Sequence, residues 1–84
     1  MDQINEFLEI EVSDRIKKLL LDTLDKLKND AKAENQEMTF NVYSVIFSIR
    51  NDEVQICNDI LPDLQPVSMS FEEFRNILEQ YKSN

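Results

Sequence analysis

Between Ser13 and about Ala33, apolar residues return every third or fourth position. Ile16, Leu19, Leu20, Leu24, Leu27 and Ala31 fall on one stripe of a 3.6-residue helix. Ser13 has the side chain of an N-cap, and Asp14 sits in the first turn, where the macrodipole favours negative charge. The spacing predicts a long helix over residues 13–33. Leu21 lies off the stripe, so it either reaches a second neighbour or faces water. Upstream the pattern has two readings. Ile4, Phe7 and Leu8 suit a short helix, whereas Leu8-Glu9-Ile10-Glu11-Val12 alternates with period two, as a strand would; the helix is the better fit. The apolar direction set by Ile4, Phe7 and Leu8 is rotated away from the later stripe, which requires a break or bend near Ile10 to Val12.

Downstream the period changes to two, and β-branched and aromatic residues accumulate. This predicts a β-hairpin with strands at about 38–49 and 54–61 around Arg50-Asn51-Asp52-Glu53. With Asn51-Asp52 as a two-residue loop, Ile49 pairs with Val54, Phe47 with Ile56, Val45 with Asn58 and Tyr43 with Ile60 on a core face. The opposite face then carries Ile46 with Cys57 and Val42 with Leu61 among Ser44, Ser48, Gln55 and Asp59, and is half apolar. Pro62 and Pro66 bound a short connection. Ser70-Phe71-Glu72-Glu73 is a capping box that opens a C-terminal helix over about 71–82, with Phe71, Phe74, Ile77, Leu78 and Tyr81 as its buried stripe. The whole chain, 1–84, reads as one small α+β domain.

Composition narrows the chemistry. Nine Lys and Arg oppose seventeen Asp and Glu, giving a net charge of −8 with no histidine to titrate. A lone cysteine, Cys57, excludes an internal disulfide and fits a reducing, cytoplasmic compartment. Without histidine, and with that one thiol, zinc, blue-copper and haem sites are not expected; without glycine, neither is a phosphate-cradling loop. No cofactor and no metal are expected. The longest apolar runs, Leu19 to Leu21 and Val45 to Phe47, are far short of a membrane span, and the first residues lack the basic and apolar regions of a signal peptide. Neither a membrane nor direct nucleic-acid contact is expected, since the acidic field repels both. The same field favours encounter with a basic protein.

Catalysis is not expected either. No imidazole is present to serve as a base, and Cys57 in mid-strand lacks the cationic setting that activates a thiol. The candidate residues therefore belong to a binding surface: Asp52 and Glu53 at the hairpin tip, Asp59 and Asp63 beside the end of the second strand, and Val42, Ile46 and Leu61 on the less-covered sheet face. The functional expectation is a small cytoplasmic protein that occludes a basic surface of another protein, as an inhibitor of immunity-protein, antitoxin or anti-defence type. The alternative is a self-associating structural or regulatory module, a homodimer with no inhibitory role.

Overall fold

Two helices meet at a sharp corner near the start of the chain. In the computed structural model, which describes residues 3–29, 35–61 and 63–81, helix α1 spans Gln3–Glu11 and helix α2 spans Asp14–Asn29. The break falls at Val12 and Ser13, where the change in apolar direction demands it. The Ser13 hydroxyl accepts from the Ile16 N–H at 3.3 Å, and the Ser13 carbonyl accepts from the Lys17 N–H at 2.8 Å. The alternative of a strand before Ser13 is thereby set aside. The part of the predicted long helix beyond Asn29, Ala31 included, lies outside the described residues.

The buried stripe of α2 is Leu20, Thr23, Leu24 and Leu27. Leu19, predicted on that stripe, is 44% exposed, whereas Leu21 packs half-buried against the core. The stripe centres on Leu20 and Leu24, which leaves Leu19 at its margin. Thr23 lies inside the stripe because its hydroxyl donates to the Leu19 carbonyl at 2.8 Å, so its polar atom is satisfied within the helix.

The sheet has four antiparallel strands in sequential order: β1 (Gln36–Thr39), β2 (Tyr43–Ser48), β3 (Glu53–Asn58) and β4 (Val67–Ser70). Two predicted features are corrected here. The strand expected over 38–49 turns back on itself at Asn41 and Val42, closed by the Phe40 N–H to the Tyr43 carbonyl at 2.9 Å, so it forms β1 and β2. The β2–β3 register is also two residues shorter than a two-residue loop gives. Val45 pairs with Ile56 and Phe47 with Val54, because the connection takes four residues, Ile49 to Asp52, with Asp52 in the left-handed region at φ 50°. A shift of two preserves the parity of every side chain. Tyr43, Val45, Phe47, Val54 and Ile56 are therefore all fully buried, as the period required. Ile60, predicted opposite Tyr43, falls beyond the end of β3 and is 64% exposed; Asn58 takes its place. Val67–Ser70, to which the pattern assigned no strand, form β4, which pairs with β3 from Glu53 with Ser70 to Ile56 with Val67.

Helix α3 spans Phe71–Gln80 and begins at the predicted capping box. Ser70 Oγ accepts from the Glu73 N–H at 3.1 Å, and the Glu73 carboxylate accepts from the Ser70 N–H at 3.4 Å. The three helices contribute Phe7, Leu20, Leu24, Phe74 and Leu78 to one core against one sheet face. Phe7 bridges the elements, with ring centroids 5.8 Å from Tyr43 and 6.4 Å from both Phe40 and Phe74. The shortest dimension, 19 Å, is that of one helix layer on one sheet. No helix among the described residues is long and apolar enough to cross a membrane.

Candidate functional site

The observed register decides which candidate residues share a surface. One end of the sheet carries the β1–β2 turn and the β3–β4 connection; the other carries the β2–β3 turn. Val42, Asp59, Leu61 and Asp63 belong to the first end, Asp52 and Glu53 to the second. Six residues of β3 separate the two ends, roughly 20 Å of extended chain. The acidic candidates therefore do not form one patch. Ile46 stays on the outer sheet face, half-buried, opposite Gln55 and not Cys57. That face is otherwise lined by Glu37, Thr39, Ser44, Ser48, Glu53, Gln55, Cys57, Ser68 and Ser70, so Ile46 and Cys57 are its apolar members among mostly polar neighbours. Val42 and Leu61 do not pair across it, because the Asp59 N–H takes the Val42 carbonyl at 2.8 Å.

The apolar surplus lies in the β3–β4 connection instead. Ile60, Leu61 and Leu64 are 64%, 54% and 43% exposed, with Asp59 and Asp63 between and beside them. Three sets of hydrogen bonds hold this loop. Asn58 Oδ1 accepts from the N–H groups of Ile60 and Leu61, both at 2.9 Å, which turns the chain as it leaves β3. The Ser44 hydroxyl donates to the Asp59 carboxylate at 2.5 Å. Gln3 Nε2, at the start of α1, donates to the Gln65 carbonyl at 3.0 Å. Large side chains that gain nothing from the core are thus displayed on braced backbone, which lowers the ordering cost of binding through them.

Beside the loop lies a feature that the sequence reading did not single out. Glu11, the last residue of α1, is 6% exposed, and its Oε2 accepts from the N–H groups of Val42 at 3.0 Å and Tyr43 at 3.1 Å. It secures the β1–β2 turn, whose donors have no strand partner there. Its only sequence signal was membership of an apolar-polar alternation, which carries no information about a contact 31 residues away. Glu11 Oε1 and the Tyr43 hydroxyl are both buried without a hydrogen-bond partner. Burial, followed by the neighbouring Glu6 carboxylate, pushes the Tyr43 phenol above its ordinary range, with Asn58 acting in the opposite sense.

Two clefts border these elements. One, of about 510 Å³, lies at the α1–α2 corner and is walled by residues 9–15 and Tyr81. The other, of about 410 Å³, lies between α2 and α3 at the far end, where Asp52 stands with Lys28, Phe71 and Arg75. Arg75 is already engaged there, pairing with Asp25 across the two helices and lying 3.9 Å from Glu79. Cys57 is half-buried, and burial together with Asp59 and Glu37 raises its thiol above the usual range, which keeps it protonated and weakly nucleophilic. Among the described residues, no group of three or more Cys, Asp or Glu side chains could hold a metal ion. No family model, curated protein or solved structure matches this chain.

Proposed function

We propose that the protein is a small acidic binding module that occludes a basic surface of another protein and performs no chemistry of its own, an inhibitor of immunity-protein, antitoxin or anti-defence type working in the cytoplasm. The observation that carries this reading is the braced β3–β4 loop, which holds Ile60, Leu61 and Leu64 in solvent beside Asp59 and Asp63. Apolar side chains of this size supply the contact that keeps a complex together, while the surrounding charge sets its rate of formation. Outside α2, the described residues include only Arg50 and Arg75 as cations, so most of the surface attracts a basic partner.

The test is a paired variant, Leu61→Asp with Leu64→Asp. Both side chains are exposed, so the thermal unfolding midpoint stays where it was, while association with a basic partner isolated on the unmodified protein is lost. The association rate falls steeply between 20 and 200 mM salt, on the order of tenfold. Capture that survives the paired variant overturns the reading. Light scattering at micromolar concentration addresses self-association: a salt-insensitive dimer that the same variant dissolves replaces the inhibitor with a homodimeric module.

A further inference from the structure

The sheet is open at both borders, and the two borders differ. β4 is guarded: Pro66 precedes it, α3 follows it directly, and the N–H of Ser70 at its end is taken by the Glu73 carboxylate at 3.4 Å. β1 has no such cover. Its phase is set by the Phe40 N–H, which donates to the Tyr43 carbonyl. Antiparallel alternation then turns the backbone groups of Met38 towards Val45 and those of Glu37 and Thr39 away from β2. Gln36, Glu37 and Thr39 are exposed, the strand holds neither proline nor lysine, and its outward N–H and C=O groups make no hydrogen bond among the described residues.

The side chains say what this border accepts. Glu37 stands exposed on the outer sheet face, and none of the four strands contains a lysine or arginine. Asp59 is tied to the same border through Ser44, whose hydroxyl reaches Thr39 Oγ1 at 3.3 Å and the Asp59 carboxylate at 2.5 Å. On the inner face, Met38 packs half-buried against the core and forms its apolar margin. A second copy of the chain is disfavoured, because it would bring another charge of −8 to an edge only four residues long.

We propose that β1 receives one extended strand of the basic partner, which exchanges N–H and C=O groups with Glu37 and Thr39. It places a lysine or arginine beside Glu37 on the outer face and an apolar side chain beside Met38 on the inner. The proposal rests on the reading of a basic partner and adds to it a contact made through the backbone. Thr39 lies at the sheet end that carries the braced loop, so one partner reaches both.

The probe is the peptide acetyl-Lys-Val-Lys-Val-Lys-Val-Lys-amide, titrated into the full chain and followed by amide NMR and hydrogen exchange. Saturable binding is expected to shift and protect the Glu37 and Thr39 amides, and to leave the Met38 amide, already turned towards Val45, little changed. Two methylated isomers supply the control. Methylating the backbone nitrogens of the two inner lysines, which face β1 in the complex, is expected to weaken binding at least about tenfold; methylating those of two valines, which point away, leaves it intact. Glu37→Lys is expected to weaken binding of the unmethylated peptide about fivefold. If that variant does not fold, the two methylated peptides decide on the unmodified chain. Absence of saturable shifts, equal weakening by both methylations, a Met38 shift as large as those of its neighbours, or undiminished binding to a folded Glu37→Lys overturns the proposal. So does concentration-dependent protection of Glu37 and Thr39 without peptide, which would give the edge to a second copy. Leu61→Asp with Leu64→Asp leaves the peptide shifts intact, so failure of the loop reading and failure of the edge proposal are separately visible.

Discussion

Glu11 ties the end of α1 to the β1–β2 turn, and Tyr43 carries a buried hydroxyl on the core face of β2. Replacing Glu11 with alanine strands the Val42 and Tyr43 N–H groups, one of them in a fully buried position. The expected loss is about 2–3 kcal/mol in urea unfolding, whereas Glu11→Gln, which keeps an acceptor, loses less. Tyr43 makes a prediction in pH. Its folded phenol titrates above the unfolded value of about 10, so its contribution is complete below pH 10 and is lost as pH rises through the folded value. Tyr43→Phe has no such proton to lose. Its stability measured between pH 9 and 11.5 is expected to fall less steeply than that of the unmodified protein.

The elements differ in how far their own sequence specifies them. Helix α3 is fixed locally: its capping box and apolar stripe are written in consecutive residues, and the helix begins at Phe71 as that box requires. Ser70→Ala removes the acceptor for the Glu73 N–H, and thermal unfolding should report a loss of about 1 kcal/mol. The start and break of α2 were legible for the same reason. β1 and β4 were not. Each is a four-residue edge strand, too short to show a period, and each exists because a neighbouring strand offers it a ladder. The β2–β3 turn shows the limit most clearly. The sequence permitted a two-residue loop at Asn51-Asp52, but the adopted loop places a single residue, Asp52, at positive φ, a conformation aspartate tolerates more readily than most residues. That choice moved the register by two, kept the core face, and transferred Ile60 and Leu61 from predicted strand to exposed loop.

At the scale of the molecule, charge and apolar surface are separately arranged. Helix α2 carries Arg15, Lys17, Lys18, Lys26 and Lys28, while the remaining described elements are dominated by carboxylates. With a net charge of −8 on 84 residues, self-repulsion opposes the compact state. Raising sodium chloride from 10 to 200 mM is therefore expected to increase the unfolding midpoint, by roughly a few degrees, as the Debye length shortens from about 30 Å to below 10 Å. A midpoint that falls with salt would instead mean that ion pairs such as Arg75 with Asp25 outweigh that repulsion.

The order of pattern along the chain determined an α+β domain, two well-marked helices, the inward face of the central strands and an acidic surface, because period, caps and charge are properties of neighbouring residues. Tertiary structure alone decided that Ile60 and Leu61 leave the strand for an exposed loop beside Asp59 and Asp63, and that Glu11 secures a turn 31 residues away. Loop length and strand register set those distances. Both depend on which pairing buries the core best, a comparison made over the whole chain and not within any stretch of it.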